Sequence, residues 1–448
     1  MKSFLSHSIV KVSPIIFCVL IFTHCKTVSP AGNVREDAPQ VISEDGAWCW
    51  FSDPRAIYVH GSNPGVLTGW VTKTGDIEVG HLKTDGTTVT QVLAADLDKD
   101  DHANPAFAEL SDHTQMVFYA KHSDDVVRYH RAEDGGQATS FGGPILQDPF
   151  DPTELEKFPL KRVTYANPFV LRGENDKVFC FGRWTGYKPN FMTSSDGGKT
   201  FGKARVIITS YPFDSNNRPY AKYYSDGNRR IHMTYTDGHP NVEPTNSVYY
   251  CYYEDGAFHK ADGSKITDVD KLPFETADGS LVYHSNINDG RSWIYDIAAD
   301  EAGKPVILYA RYPDQESHIY YYAKYDGSKW QEVEICNSGS WFPQTQPGAD
   351  EREQNYSGGM TVHPLDVSVI YVAEEVEGIF EIVRYKINEA GTKIESRQTI
   401  TQNSTYDNVR PYIPRNMQTD DPLVVLWMKN KKYIHYTDYD VEVMAKFP

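Results

Sequence analysis

The sequence predicts an all-β protein that folds as one seven-bladed β-propeller of four-stranded antiparallel blades. Three observations predict this class. Strand-like segments follow one another along most of the chain, turn markers recur at intervals near 60 residues, and no long window has helical periodicity. The 448 residues are 40% hydrophobic and 13% aromatic, which is enough for a large core and excludes a disordered chain.

The strand-like segments are short, rich in β-branched and aromatic residues, and bounded by turn residues. Six of them cover 115–120, 177–182, 247–253, 305–311, 318–325 and 367–372. The one helical turn that we expect covers 151–156. These segments favour an all-β fold.

The turn markers are small polar or alanine residues followed by glycine. They are Asp85-Gly86, Asp134-Gly135, Asp196-Gly197, Asp255-Gly256, Asp326-Gly327 and Ala390-Gly391, with glycines 49, 62, 59, 71 and 64 residues apart. A period of about 60 residues suits a four-stranded blade with long loops, and seven such blades fit the chain.

One marker belongs to a longer motif. Residues 194–201, SSDGGKTF, fit the Asp-box pattern S-x-D-x-G-x-x-aromatic. In this pattern Asp196 caps a tight hairpin and Phe201 packs between strands. The motif is structural and carries no chemistry.

The first residues are predicted to lie outside the fold. Lys2 and Lys11 precede an apolar run over 15–22, which indicates an export signal over 1–24. Cys25 follows in a segment that resembles a bacterial lipoprotein box, with His24 in place of the usual small residue. We therefore expect a linker over 25–40 and one catalytic domain over 41–448. The protein is expected to be an exported monomer, either secreted or tethered by lipid to the outer membrane as a cell-surface or periplasmic lipoprotein.

The charge limits the classes of partner. The formal net charge is −17, and removal of residues 1–24, which carry two lysines and no acidic residue, makes it −19. Such acidity argues against a nucleic acid as partner but leaves an anionic polysaccharide open, because a basic cleft can exist on an acidic protein. The remaining cysteines show no metal or disulfide spacing and are predicted to be mostly buried. They are Cys49, Cys180, Cys251 and Cys336.

Polar and titratable residues cluster in segments where a blade does not require them. The clusters cover 45–57, 100–106, 121–123, 164–168, 182–184, 218–223 and 235–240. In a propeller the ligand site lies over the central channel, where loops of successive blades converge. We expect these segments to meet there.

Together the clusters resemble the propeller-type polysaccharide lyases and their exported BNR-repeat relatives, and most closely the ulvan lyases. The resemblance covers most of the mature chain, through GAWCWFSDPRAI, DDHANPA, KHS, YANPFVL, GRW, the Asp-box, RPYAKYYSDG, YTDGHP and YSGGMTVHP. It implies β-elimination at the uronic acid of ulvan, a sulfated rhamnose-containing algal polysaccharide, with release of unsaturated uronate oligosaccharides. No cofactor is required for such a reaction.

β-Elimination beside a uronate requires a group that neutralises the carboxylate, a base for the C5 proton and an acid for the departing O4. Arginine suits the first role because its planar fork matches a carboxylate. The resemblance places the catalytic roles on Tyr165 as base and acid, Arg183 as neutraliser, and His102 and His122 as partners of the carboxylate or leaving group. The histidine pair is an alternative base.

Five further residues are expected to contact substrate, and they are Tyr220, Arg218, Lys222, Arg55 and His239. Arg55 and Arg218 have an alternative role as scaffold, paired with Asp53 or Asp237. His239 has two alternatives as well. With Cys251 and His284 it would bind a structural zinc ion, since histidine and cysteine are the preferred ligands; otherwise it lines the cleft while Cys251 is buried.

Two other function classes remain open. A propeller glycoside hydrolase, either an exo-rhamnosidase or a sialidase, would need paired carboxylates or an arginine triad with a Tyr/Glu pair. Glu374-Glu375 is the pair to examine, and Arg55, Arg183 and Arg410 are a conceivable triad. The third class is a non-catalytic, glycan-binding surface lipoprotein, which the aromatic richness and the possible tether would suit.

Overall fold

The protein is a seven-bladed β-propeller, as the sequence predicts. A computed structural model of the chain describes residues 38–132, 140–314, 317–339 and 358–447. The predicted export signal over 1–24, the proposed lipidation site and the marker Asp134-Gly135 lie outside the described residues.

The strands run through the blades in chain order, after a first strand that belongs to the last blade, β1 (Gln40–Ser43). Blade 1 contains β2 (Ala56–Val59), β3 (Gly65–Val71), β4 (Ile77–Lys83) and β5 (Thr88–Ala94). Blade 2 contains β6 (Ala106–Glu109), β7 (Gln115–Tyr119), β8 (Val127–Ala132) and β9 (Ile145–Gln147). Blade 3 contains β10 (Thr164–Leu171), β11 (Lys177–Arg183), β12 (Pro189–Ser194) and β13 (Arg205–Val206).

The fourth blade is the largest, and its segment of the chain contains β14 (Ile208–Thr209), β15 (Ala221–Ser225), β16 (Arg230–Thr236), β17 (Val248–Glu254), β18 (Ala257–His259), β19 (Lys265–Asp268), β20 (Phe274–Glu275) and β21 (Ser280–Tyr283). Blade 5 contains β22 (Arg291–Ala299), β23 (Pro305–Tyr312), β24 (Ile319–Tyr325) and β25 (Trp330–Asn337). Blade 6 contains β26 (Met360–Val362), β27 (Val369–Val376), β28 (Ile379–Ile387) and β29 (Ile394–Thr399). Blade 7 contains β30 (Asp407–Tyr412), β31 (Val425–His435) and β32 (Asp438–Lys446).

The ring closes through the N-terminal strand. β1 pairs antiparallel with β32, with Gln40 opposite Ala445 and Val41 opposite Met444. The fourth strand of blade 7 therefore comes from the other end of the chain, which leaves no gap between the last blade and the first.

Blade 4 differs from the four-stranded pattern. Its sheet also contains β19 and β21, and β14 and β20 form a separate parallel pair beside it. The helical content is small and consists of α1 (Pro152–Lys157), where a helical turn was expected, and of five 3-10 turns at Asp101–Ala103, Arg172–Glu174, Thr185–Tyr187, Val269–Lys271 and Thr276–Asp278. No helix in the described part of the chain is long and apolar enough to cross a bilayer.

The turn markers lie at one recurrent place in the fold. The described ones connect the third and fourth strands of their blades, or follow the third strand, in blades 1, 3, 4, 5 and 6. Their glycines all have positive φ, between +71° and +107°. This left-handed conformation favours glycine. The spacing of these glycines in the sequence is therefore the spacing between the outer hairpins of the blades.

The Asp-box forms as predicted. Asp196 Oδ1 accepts hydrogen bonds from the backbone N–H groups of Lys199 and Thr200, both at 3.0 Å. The ring of Phe201 packs edge-on against Phe118 and Tyr129 of blade 2, at centroid distances of 5.8 and 5.2 Å. The motif therefore joins blades 2 and 3.

The central channel has a cavity at each end and buried ion pairs between them. The Asp53 carboxylate binds Arg55 Nε at 3.0 Å and Lys222 Nζ. Asp296 accepts two hydrogen bonds from Arg415 Nη2, at 2.7 and 2.5 Å. Asp53 and Arg415 of these pairs also line one of the two cavities.

Candidate active site

The candidate site is a cavity of about 330 Å³ at one end of the channel. It is formed by the loops that lead into the first strand of a blade and by those that join its second and third strands, in blades 1–4 and 7. The lining residues are Cys49, Trp50, Phe51, His102, His122, Ser123, Arg162, Tyr165, Arg183, Tyr187, Arg218, Tyr220, His239, Asn241 and Tyr436.

Arg183 lies at the end of β11 and is 4% exposed. Its guanidinium carbon is 4.1, 4.5 and 5.1 Å from the ring centroids of Tyr187, Tyr220 and Tyr165. Burial opposes the charge of Arg183, but the three phenols outweigh it and raise its pKa above the ordinary value. Arg183 is therefore a buried, fully charged group beside the cavity.

Tyr165 lies near the start of β10, where the pairing with β11 shifts register between Thr164 and Asn167. Its φ is +67°, a left-handed conformation that is rare for a bulky residue. Its carbonyl oxygen accepts a hydrogen bond of 3.1 Å from Trp184 Nε1. The irregularity turns the Tyr165 ring toward the cavity, and strained residues of this kind concentrate at functional sites.

His102 and His122 share one carboxylate. His102 Nδ1 is 2.6 Å from Asp100 Oδ1, and His122 Nδ1 is 2.9 Å from Asp100 Oδ2. Because a carboxylate only accepts hydrogen bonds, both Nδ1 atoms carry a proton, and Nε2 is the remaining functional atom of each ring. The His102 ring also stacks on Tyr165 at 5.6 Å.

The two imidazoles differ in charge. Burial lowers the pKa of His102, but Asp100 outweighs this effect and raises it well above the ordinary value. Burial and the neighbouring charge of His102 lower the pKa of His122 to about 4. At neutral pH His102 is thus an imidazolium and can donate a proton, whereas His122 is neutral and can accept one.

Asp101 contacts His102 and links it to Arg410. Its Oδ1 is 3.2 Å from His102 Nδ1, while its Oδ2 accepts a hydrogen bond of 2.6 Å from Arg410 Nη1. Tyr433 also donates to Asp101 Oδ2. Arg410 is 2% exposed; it binds Asp101 and does not line the cavity.

Tyr220 and Arg218 line the cavity as predicted, with His239 beside them. The rings of Tyr220 and His239 are 5.2 Å apart and nearly perpendicular. Burial, followed by the charges of Arg218 and Arg183, lowers the pKa of His239 well below the ordinary value. His239 is therefore a neutral hydrogen-bonding group.

The structure does not place Arg55 and Lys222 where substrate contact was predicted. Arg55 is 2% exposed and Lys222 is 1% exposed, and both bind Asp53 beneath the cavity floor. The alternative scaffold role of Arg55 is the one observed. The physical reason is that a buried carboxylate is costly unless cations neutralise it, and Arg55 and Lys222 neutralise Asp53.

The predicted zinc ligands are not brought together. Cys251 is fully buried among Tyr223, Tyr235 and other core residues, while His284 is exposed. Within the described ranges, the groups with three ligand atoms inside 4.8 Å do not include the set His239, Cys251 and His284. The observed arrangement is the alternative, in which His239 lines the cleft and Cys251 is core.

Two groups at the cavity do have metal-like spacing, namely Asp100, His102 and His122, and Cys49, Asp101 and His102. Both imidazoles, however, already direct their Nδ1 atoms at Asp100 in short hydrogen bonds. Contacts of His102 and His122 with Asp100, and of His102 with Asp101, account for this close spacing.

The residues considered for hydrolase chemistry lie outside the cavity, with the exception of Arg183. Glu374 binds Tyr385 and Arg397 in blade 6, away from the cavity. Of the imagined triad, Arg183 alone lines the cavity, because Arg55 and Arg410 are held by Asp53 and Asp101.

Sequence reasoning missed Arg162, Tyr187, Asn241 and Tyr436. Arg162 stands three residues before Tyr165, so a basic residue at the entry to a candidate strand was an available signal. Tyr187 follows Gly186 in a turn directly after GRW, and Tyr436 lies in the last hairpin of blade 7, where no cluster was recognised.

Comparisons with known proteins agree on the fold. Residues 67–338 match the model of a family described as BNR repeat-containing. No curated protein sequence matches the chain. The structure of a PL25 ulvan lyase is similar at a TM-score of 0.60 and 12% identity, over 92% of this chain and 94% of that one.

Two further structures are similar. A PL25 ulvan lyase bound to -[GlcA(1-4)Rha3S]- has the same TM-score, identity and coverage. The polysaccharide lyase Uly1 has a TM-score of 0.57 and 12% identity, over 91% of this chain and 97% of that one. At this identity the likeness shows a shared propeller fold.

Proposed function

The chain belongs to the BNR repeat-containing family, and we propose that this member is a polysaccharide lyase. Its proposed substrate is ulvan-type polysaccharide, sulfated and built from rhamnose and uronate. It cleaves this chain by β-elimination at the uronic acid and releases unsaturated uronate oligosaccharides. The similar fold of two polysaccharide lyases supports the proposal.

One observation carries the proposal, namely the chemical make-up of the cavity. Its titratable lining residues are tyrosines, histidines, arginines and one cysteine, and among the described residues no aspartate or glutamate lines it. A glycoside hydrolase ordinarily needs two carboxylates at the bond that it cleaves. Elimination needs a cation, a base and an acid, which this lining supplies.

In the proposed reaction Arg183 binds the uronate carboxylate and stabilises the charge that develops on it as the C5 proton leaves. Two of its donors, Nε and Nη1, have no hydrogen-bond partner among the described residues. A carboxylate oxygen of the substrate that reaches Arg183 would give one of these donors a partner. The same cation therefore binds the substrate and acidifies the proton.

Tyr165 is the proposed base and acid. Its oxygen removes the C5 proton, the C4–C5 double bond forms as the C4–O4 bond breaks, and the Tyr165 hydroxyl so formed returns that proton to the departing O4. Arg183, 5.1 Å from the Tyr165 ring centroid, favours the phenolate that the first step requires. His102, as an imidazolium, assists the leaving oxygen or the carboxylate, and the neutral Nε2 of His122 is the alternative base.

The proposed substrate class rests on charge. Arg162, Arg183 and Arg218 line the cavity, and within the described ranges none has a carboxylate oxygen within 4.0 Å. Together with the cationic His102 they form a basic cavity in a protein of net charge −17. An anionic polysaccharide suits it, and a ligand of this kind is bound in one similar structure.

We further propose that the protein is exported and works as a monomer, with residues 41–448 as one catalytic unit. The basic start and apolar run of residues 1–24 support export, and Cys25 is the proposed point of lipid attachment to the outer membrane. Mass analysis of the mature protein from its native membrane fraction tests this, since cleavage before Cys25 and an added lipid mass are expected.

The test of activity is incubation with purified ulvan, followed by absorbance in the unsaturated-uronate band and mass analysis of the products. The wild type is expected to raise the absorbance, and Tyr165→Phe to raise it at least 100-fold more slowly. Tyr211→Phe, which alters an exposed tyrosine outside the cavity, is the matched control. Products without the double bond would identify a hydrolase, and binding without products would identify a glycan-binding protein; either result contradicts the proposal.

A further inference from the structure

The proposed elimination gives Tyr187 no role, although its ring faces the guanidinium groups of three cavity arginines. We propose that Tyr187 is a positioning residue, which fixes the orientation of the Arg183 guanidinium at the place where the substrate carboxylate would bind. This inference deepens the proposed function and rests on it.

Three guanidinium groups lie around the ring of Tyr187. The guanidinium carbons of Arg183, Arg162 and Arg218 are 4.1, 5.3 and 5.4 Å from the Tyr187 ring centroid. Three like charges in one cavity repel each other, and a shared aromatic ring offsets part of that repulsion. Tyr187 is therefore the common neighbour that keeps the three arginines together.

A hydrogen bond joins the guanidinium of Arg183 to the hydroxyl of Tyr187. Arg183 Nη2 donates to the Tyr187 hydroxyl oxygen at 3.1 Å, while Nε and Nη1 have no hydrogen-bond partner among the residues described. Because the guanidinium is planar, fixing one of its nitrogens fixes the direction of the other two. The hydroxyl thus fixes the orientation of the Arg183 guanidinium plane.

The backbone at Tyr187 has a left-handed conformation. Gly186 and Tyr187 have φ of +68° and +61°, and Lys188 N–H donates to Thr185 O at 3.3 Å. This is the pattern of a type I′ turn, whose second central position ordinarily holds glycine or asparagine. A tyrosine there is conformationally costly, and such strain persists where the side chain has a task.

The electrostatics agree with this geometry. Burial raises the pKa of Tyr187, but Arg183, Arg218 and Arg162 outweigh it, and the pKa lies below the ordinary value. An electron-rich phenol is a better acceptor for Arg183 Nη2. The charged groups that face the ring are the three arginines, so the direction of this shift follows from the contacts already described.

The test is a double-mutant cycle of Tyr187→Phe and Arg183→Lys with ulvan as substrate. Tyr187→Phe keeps the ring and removes the hydroxyl, so we expect kcat to fall about 10- to 100-fold while KM changes less than about 3-fold. In Arg183→Lys the planar fork is absent, so adding Tyr187→Phe should lower kcat less than 3-fold further. Independent, multiplicative losses, or an unchanged kcat in Tyr187→Phe, would overturn the inference.

A second measurement does not depend on turnover. Tyrosinate absorbance is titrated in the wild type, in Tyr187→Phe and in the control Tyr211→Phe, after circular dichroism has established that each is folded. A tyrosine equivalent that ionises early in the titration should be present in the wild type and in Tyr211→Phe and absent from Tyr187→Phe. If it persists in Tyr187→Phe, Tyr187 is not held by the arginines and the inference fails. A wild type that forms no unsaturated product refutes the proposed function instead.

Discussion

The imidazole rings of His102 and His122 lie parallel, with centroids 4.3 Å apart and an angle of 9° between their planes. Both rings bind the same Asp100 carboxylate, each through its Nδ1 atom. Two cations at this distance repel each other strongly, so the pair holds one excess proton at neutral pH. Stacking thus gives two identical side chains different roles, one as a proton donor and the other as an acceptor.

Asp100→Asn is expected to remove the difference in charge between His102 and His122. Without the carboxylate the pKa of His102, now held well above its ordinary value, falls. The donor form is then lost as pH rises, so the alkaline limb of the pH profile of kcat/KM should move down by at least about 1 pH unit. Activity at pH 8 should fall about 100-fold, measured by product absorbance. Asp125→Asn, at an exposed position near His122, is the control, and an unshifted alkaline limb would contradict the assignment.

Lys222→Met is expected to impair stability without affecting substrate affinity. Lys222 is 1% exposed and binds Asp53 and the Trp50 carbonyl oxygen below the cavity. Its loss leaves the buried Asp53 with Arg55 as its remaining cation, which should lower the free energy of unfolding by about 3 kcal/mol. Denaturant unfolding checks this, with the exposed Lys265→Met as control. A large rise in KM with unchanged stability would restore the substrate-contact role.

Stability should depend on His60 in alkaline solution. His60 lies 2.9 Å from Asp421 of blade 7 and 3.6 Å from Glu109 of blade 2. The hydrogen bond with Glu109 and the charge of Asp421 raise the pKa of His60 to about 9, against an ordinary value near 6.5. A raised pKa means that the stabilisation is complete below pH ~6.5 and is lost as pH rises through about 9.

The measurement is Tm between pH 6 and pH 10 for the wild type and His60→Gln. Because the ring is partly solvated, screening reduces the expected difference in free energy of unfolding to about 1 kcal/mol. The two proteins should differ most at low pH and converge above pH 9. Parallel curves would show that His60 does not join the blades electrostatically.

Asp196→Ala should weaken the fold and leave catalysis intact. Asp196 accepts hydrogen bonds from Lys199 N, Thr200 N and Thr200 Oγ1 in the Asp-box. Loss of such a cap lowers the free energy of unfolding by about 1 kcal/mol. Since this hairpin lies away from the cavity, kcat should remain within 2-fold of the wild type. A larger loss of activity would give the Asp-box a functional role.

The propeller was predictable because its signals are local. An outer hairpin requires a residue with positive φ, and glycines such as Gly197 and Gly327 mark it in the sequence. The extra strands of blade 4 were not predictable in the same way. β21 pairs with β17 across 30 to 35 residues of sequence, and such a pairing leaves no turn marker.

The site was predictable in part. Tyr165, Arg183 and the two histidines lie in segments whose order resembles a known family, and they meet at the cavity. The choice among arginines was not predictable. Arg55 and Arg162 both stand near a first strand, but Arg55 is adjacent to the Asp53 carboxylate and turns inward to it, whereas Arg162 turns to the Tyr187 ring. Which partner an arginine finds depends on the packing of neighbouring blades.

The pairing of β1 with β32 also has a practical consequence for engineering the protein. Gln40 and Ala445 are opposite each other in adjacent strands, so the two ends of the propeller are a few ångströms apart. A short peptide linker can join them, and new termini opened in an outer hairpin such as Asp326-Gly327 would give a circular permutant with every strand pair retained. Fusion partners or surface attachment points could then be moved from blade to blade around the ring, while the residues that line the cavity over the central channel stay unchanged.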